Sequence, residues 1–309
     1  MSIRETVVGT SIVPRLMGCF VNQKKKALTC PDLGDLGHRV IAITGPTNGI
    51  GLETARPLID AGARMLLIAR NEAKARALLS SWGNPANACV VVADLSDLKT
   101  LSPAVEQINS VLQGQPIDTL IENAGVSPHK YEQTVQGHEM AFGTNVLGHF
   151  ALRKMLMDEE MLARSARVVV VTGDIYITAT DCTPNFKYKT MIGASSAYSR
   201  SKLGNAWIAK VLQDRYPKLT VTLVHPGVVD SGLMMGDKPI ERLFKKALLP
   251  TPRGAQTTLY CATQPVVSGG YYHNTRGLVH LADEDPALDK EKATALWDAC
   301  ERMASPFLP

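Results

Sequence analysis

The chain has 309 residues, of which 45% are hydrophobic and 20% charged, and a formal net charge of +4. That length suits one large α/β domain, or two small ones, with a well-developed core. The charge is small and spread along the chain, which argues against a nucleic-acid partner, and the run Lys24, Lys25, Lys26 is too short to reverse that. The six cysteines, at 19, 30, 89, 182, 261 and 300, have no C-x-x-C spacing. They indicate no metal site and read as reduced thiols in a cytoplasmic compartment. No stretch reaches the roughly 20 apolar residues that span a bilayer.

Taken in chain order, residues 3–21 place Ile3, Val7, Val8, Ile12, Val13, Leu16, Met17 and Phe20 at near-helical spacing. Pro14 would kink or break a continuous helix there. Residues 1–27 allow two readings. One is a peripheral membrane contact, with the lysines near lipid phosphates. The other, which is favoured, is an arm packed on its own domain or on a partner. From residue 39 onward, short β-rich runs alternate with helical patterns. The runs are 39–44, 64–69, 88–93, 118–122, 167–172 and 219–225, several nearly continuous in Val, Ile and Leu. Such runs read as strands covered on both faces, and the alternation predicts an α/β fold: a doubly wound, mostly parallel sheet with helices on both sides. A last run at 277–281 predicts an edge strand. Residues 1–37 are therefore an amino-terminal extension and 38–309 a single domain.

Two segments break the rhythm. Residues 173–195 are rich in Thr, Pro and Lys, and residues 228–252 carry Met234, Met235, Leu243, Phe244, Leu248 and Leu249. Both begin beyond strand carboxyl ends, where open α/β sheets bind ligands, and both are expected to bind substrate. Their composition predicts a roomy apolar pocket for a hydrophobic small molecule.

Directly after the first of these runs comes Thr44-Gly45-Pro46-Thr47-Asn48-Gly49-Ile50-Gly51. Its glycines allow a tight turn and a close backbone approach to a pyrophosphate, and the following helix offers free N–H groups to the phosphates. The second run ends Ile68-Ala69-Arg70-Asn71. There is no acidic residue here for a ribose 2′-OH, and Arg70 suits a 2′-phosphate, which predicts NADP(H). Tyr198 and Lys202, four residues apart in a helical pattern, share one helix face. A nearby ammonium lowers the phenol pKa, which fits Tyr198 to exchange a proton with a carbonyl or alcohol oxygen.

The turn is similar to T-G-x-x-x-G-I-G and Tyr198 to Lys202 to Y-x-x-x-K, so the chain resembles the short-chain dehydrogenase/reductase family, nearest its retinol-dehydrogenase-like branch. The resemblance covers residues 38 to about 300. It implies a Rossmann-type strand order 3-2-1-4-5-6-7. It also implies a cofactor site at Gly45, Thr47, Asn48, Gly49, Ile50, Gly51, Arg70, Asp94, Leu95, Asn123, Ala124, Gly125, Tyr198, Lys202, Pro226, Gly227, Val229 and Ser231. Glu122 stands where the family's N-N-A-G turn has its first Asn. Asn145 matches the family's helix Asn, whose backbone helps hold a proton-relay water. A homo-oligomer, dimer or tetramer, is expected.

One family position is missing. The residues Val171-Thr172-Gly173-Asp174 stand where retinol-dehydrogenase-like members have V-S-S, so Gly173 replaces the carbonyl-orienting Ser. Losing such a donor lowers rates by about 10²–10³. Thr172 is the favoured substitute, with Asp174 or Tyr176 as alternatives. The expected activity is NADP(H)-dependent interconversion of a hydrophobic ketone or aldehyde and its alcohol. Reduction of a conjugated C=C bond and a noncatalytic NADP(H)-binding role are the alternatives.

Overall fold

The structure is a computed structural model that describes residues 3–20, 23–230 and 248–308. Its arm begins with a strand, β1 (Glu5–Val8), and continues into the helix Ile12–Phe20. The expected alternation then follows: β2 (Val40–Thr44), β3 (Arg64–Ala69), β4 (Ala88–Val92), β5 (Ile117–Glu122), β6 (Leu162–Val171), β7 (Thr220–His225), β8 (Tyr271–His273) and β9 (Gly277–Leu281). They form one sheet in the order β1-β9-β8-β7-β6-β5-β2-β3-β4, parallel throughout except between β8 and β9. Counted from β2, the run from β4 to β8 reads 3-2-1-4-5-6-7.

Alternation along each strand feeds two cores. In β2, Val40 and Ala42 join the layer containing Leu203, Trp207 and Trp297, whereas Ile41 and Ile43 join the layer containing Leu58, Leu259 and Tyr260. Successive side chains of a strand point to opposite faces, so a strand covered on both faces is apolar at every position. The cores fix the carboxyl edge of the sheet, where β2 meets β3 on one side and β5 on the other. Strand order reverses direction there, which opens the crevice.

Two expectations are corrected. The seventh strand is Tyr271–His273, and the predicted run 277–281 is a further strand hairpinned back onto it. Three residues carry too little periodicity to be recognised. The reversal depends on Gly277, whose φ is +76° and where a Cβ would sit 2.0 Å from the Arg4 carbonyl oxygen. The arm is not helical throughout, and it packs on its own domain. The outer edge of β9 is open, and β1 pairs with it in parallel, Glu5 opposite Leu278. Pro14 falls in the first turn of Ile12–Phe20, where a missing N–H breaks no helical hydrogen bond.

Candidate active site

A cleft of about 660 Å³ lies at the carboxyl ends of β2 to β7. Gly45 and Gly49 have φ of +66° and +56°, the left-handed region that favours glycine, and a Cβ on Gly51 would lie 2.1 Å from the Gly45 carbonyl oxygen, so the turn has no room for a side chain at Gly51. Asn48 caps the helix Gly49–Asp60 without a side-chain hydrogen bond, which leaves the first N–H groups to whatever occupies the cleft. The Thr44 hydroxyl ties this turn to the one after β5. It accepts from the N–H groups of Asn123 (3.0 Å) and Ala124 (2.9 Å) and bonds His149 Nε2 at 2.8 Å. Asn123 Nδ2 donates in return to the Thr44 carbonyl at 2.9 Å.

Arg70 lines the cleft at the end of β3, as predicted, together with Lys74, which the sequence reading missed. Lys74 lies one turn into the helix Glu72–Ser81, whose N-cap Asn71 accepts from the Lys74 N–H at 2.8 Å. The signal was its spacing from Arg70 across a cap residue. Asp94 and Leu95 form the neighbouring wall, the Asp94 carboxylate braced by the N–H and hydroxyl of Ser96 at 2.9 and 2.7 Å. The free N–H groups, the glycine turn and the two cations fit a nicotinamide dinucleotide. Glu122 also has an account: it is buried against Arg153 in an ion pair behind the cleft, so charge pairing is its role.

Thr190, whose hydroxyl accepts from the Gly193 N–H at 3.1 Å, starts the helix Met191–Arg215 that carries Tyr198 and Lys202. Both side chains line the cleft. Lys202 Nζ donates to the Val171 carbonyl at 2.9 Å and lies 5.6 Å from the centre of the Tyr198 ring. Burial pushes the Tyr198 phenol up to about 12 and pulls the Lys202 ammonium down to about 8. At neutral pH the pair is therefore a phenol beside an ammonium.

Asn145 does not line the cleft. It sits in a π-helical turn, Gly143–Gly148, fully buried, with its side-chain oxygen accepting from Val126 N–H at 2.8 Å and its amide donating to the Val126 carbonyl and Ser201 Oγ. Its own carbonyl accepts from His149 Nδ1 at 3.0 Å. In this structure Asn145 joins the turn after β5 to the helix of Tyr198. Of the other predicted cofactor residues, Ser231 lies outside the described residues, and the rest all border the cleft.

The structure gives Thr172 a different job from the one expected. Its hydroxyl proton is committed to the Lys202 carbonyl at 2.8 Å, and a threonine hydroxyl has one proton to donate. Tyr176 is fully buried, with its hydroxyl on Asp285 and Arg15. Asp174 borders the cleft, but its carboxylate is taken up by the Tyr271 hydroxyl, His273 and the guanidiniums of Arg15 and Arg276. Burial opposes its charge, yet His225, His273 and Arg15 outweigh that and hold the carboxyl well below the usual range. Ionised Asp174 accepts hydrogen bonds and donates none. The ring nitrogens of His225 and His273 and an Asp174 oxygen lie within 4.8 Å of one another, but the two guanidiniums on that carboxylate would repel a metal dication.

Of the two proposed substrate segments, 173–195 contributes less than expected, and most of 228–252 lies outside the described residues. From 173–195 only Gly173, Asp174 and Ile175 border the cleft, while Ile177, Cys182 and Tyr188 are buried in the protein. From 228–252, Val228 and Val229 border it and Leu248 and Leu249 are core. Met234, Met235, Leu243 and Phe244 lie outside the described residues.

Comparison with known proteins agrees with this geometry. The profile of the short chain dehydrogenase family matches residues 39–241. The chain belongs to that family. Among curated relatives, human retinol dehydrogenase 14 is 32% identical over 298 residues, covering 88% of each chain, and human retinol dehydrogenase 12 is 33% identical over 281 residues, covering 87% of each. The fold is shared with an uncharacterized protein from Mycobacterium Paratuberculosis (28% identity, TM-score 0.71, 90% of this chain and 98% of that one). It is shared too with salutaridine reductase from Papaver somniferum, at 18% identity and a TM-score of 0.58 over 76% of this chain and 99% of that one. This short-chain dehydrogenase is thus a retinol-dehydrogenase-like member of an oxidoreductase family that uses a nicotinamide cofactor, and among its described residues no helix is long and apolar enough to cross a membrane.

Proposed function

We propose that this chain is an NADP(H)-dependent oxidoreductase that interconverts a hydrophobic aldehyde or ketone and its alcohol. The observation that carries the reading is one cleft that holds Tyr198 and Lys202 at one end and Arg70 and Lys74 at the other. Arg70 and Lys74 would hold the 2′-phosphate, and the glycine turn and helix N-terminus the pyrophosphate. The cofactor, when bound, supplies or accepts the hydride. Tyr198 donates its phenolic proton to the substrate oxygen as negative charge builds there, and takes it back in oxidation. Lys202 stabilises the transient phenolate and, fixed by the Val171 carbonyl, stays aimed into the cleft. The retinol dehydrogenases named above act on an extended apolar alcohol, which supports an apolar substrate here.

The test is direct. NADPH and NADH affinities are measured by fluorescence, and NADPH oxidation is followed with hydrophobic aldehydes, ketones and enones, with Tyr198→Phe as control. Tighter NADH than NADPH binding contradicts the role of Arg70, and turnover unchanged by Tyr198→Phe contradicts the mechanism. Gly173, with the Thr172 proton committed elsewhere, favours one second reading, a noncatalytic NADP(H)-binding role, and tight NADPH binding without turnover of any carbonyl or enone would establish it. Peripheral membrane contact is proposed for the outward face of the arm, where Val13 and Met17 are exposed near the lysine run. Liposome flotation lost on deleting residues 1–27 supports it, and no flotation of the full chain contradicts it.

A further inference from the structure

Leu16, from the amino-terminal arm, borders the same cleft as Tyr198 and Lys202. It is flanked by two anchors. Arg15 is buried and donates to Asp285 at 2.5 Å and to the Tyr176 hydroxyl at 2.6 Å, lies 3.5 Å from Asp174, and stacks 4.9 Å from the centre of the Tyr176 ring. Asp174 and Tyr176 belong to the short helix Asp174–Thr178, which follows Gly173 and starts one side of the cleft. Gln23, also buried, makes a two-point amide contact with the backbone of Val228, donating to its carbonyl at 3.3 Å and accepting from its N–H at 3.2 Å. Val228 borders the cleft on the other side. The β1–β9 pairing and the Leu28 N–H to Asn274 carbonyl bond hold the arm before and after these contacts. Two buried carboxylates, Asp174 and Asp285, thus share a cation brought from far away in the chain, and the arm cannot lift off without taking that charge from Asp285 and leaving Asp174 to Arg276 and its neutral partners.

Resting on the oxidoreductase reading above, we propose that the amino-terminal arm is a built-in wall of the substrate site. Leu16 contacts the substrate, and Arg15 and Gln23 are positioning residues that hold the segments 174–178 and 226–229 on either side of it. The arm therefore sets how long or broad an apolar substrate can be. Leu16 is an aliphatic surface of the kind that discriminates by size, where added or removed methylenes change kcat/KM by about 10–200-fold.

The experiment uses the full-length protein with NADPH and straight-chain aldehydes from propanal to dodecanal. In Leu16→Trp the ratio of kcat/KM for dodecanal over propanal falls by about tenfold or more, in Leu16→Ala it shifts the other way, and the Kd for NADPH stays as in the parent. An identical chain-length profile in all three proteins overturns the role of Leu16. Arg15→Met is made together with Asp285→Asn, which limits the unpaired buried charge. It shifts the same ratio in the direction of Leu16→Ala if Arg15 positions the wall, whereas equal loss on every aldehyde reduces it to a folding residue. If the parent binds NADPH and reduces no aldehyde, the proposed reaction fails, and the wall is then judged by Leu16→Cys. Alkylation of that residue, followed by mass spectrometry, slows with NADPH and decanal bound if the wall is real, and proceeds undiminished if it is not.

Discussion

At the cofactor end of the cleft, recognition is made largely of backbone: a turn with left-handed Gly45 and Gly49 and no room for a Cβ at Gly51, and a helix N-terminus without a side-chain cap. At the substrate end it is made of side chains drawn from distant parts of the chain, with Arg15, Asp174, Tyr176, Tyr271, His273 and Asp285 in one buried network and no side chain at Gly173. Backbone recognition tolerates little change in sequence, because a Cβ in the wrong place blocks the turn. A side-chain network can be rebuilt from other residues so long as its charges are paired. That difference explains how one end can keep its family pattern while the other loses its expected hydroxyl and gains an amino-terminal wall.

The largest effect that would sharpen this contrast is at Tyr198, whose phenolic proton is the one the proposed reaction moves. Tyr198→Phe is expected to lower kcat by about 10²–10⁴ with little change in NADPH affinity, measured by steady-state kinetics and fluorescence titration. A matching loss of affinity would mean the two ends are not separable. Next comes the ion pair behind the cofactor turn. Arg153→Met leaves Glu122 buried and unpaired, which is expected to destabilise the fold by about 3–5 kcal/mol in denaturant unfolding, and adding Glu122→Gln should recover most of the loss. A change below about 1 kcal/mol would contradict the reading of Glu122 as a charge partner. At the far end, Arg70→Ala should weaken NADPH binding by about tenfold and leave NADH binding unchanged, since it removes one charge-assisted contact.

The smallest effect is in the pH profile. Lys202 is cationic below about 8 and loses its charge as pH rises through that value, instead of at the ordinary 10.5. The neutral amine no longer stabilises a phenolate, so kcat/KM for carbonyl reduction should fall above about pH 8. A profile flat to the ordinary lysine range would contradict the burial of that side chain.

The same contrast decides what could be read from the sequence. Strands β2 to β7 were legible because burial on both faces makes them continuous apolar runs, and the glycine turn was legible because its backbone favours glycine. Tyr198 and Lys202 were legible because both sit on one helix at fixed spacing. Arg15 to Asp285 and Glu122 to Arg153 were not, since nothing local tells a charged residue which distant partner tertiary packing will bring to it. The arm failed for a related reason: the spacing of Val7 and Val8 fits a helix, but the open edge of β9 offers backbone hydrogen bonds that a strand can take. The hydrogen bond of Thr172, which borders the cleft, was not legible either, because a hydroxyl beside a strand end looks available until the Lys202 carbonyl is seen to take its proton.

The central claim is that the reaction machinery is intact apart from one missing hydroxyl, and a single substitution tests it. At Gly173 the backbone is extended, with φ of −177°, and an added Cβ would meet only His225 Nδ1 at 3.7 Å and Ile175 Cγ2 at 3.9 Å, so a serine fits without strain. The measurement is the rate of NADPH oxidation with a saturating hydrophobic aldehyde in the parent and in Gly173→Ser. A rise in kcat of up to about 10²–10³, with the NADPH Kd unchanged and the gain abolished by Tyr198→Phe, is the predicted result. No gain in a folded, NADPH-binding Gly173→Ser protein would contradict the account.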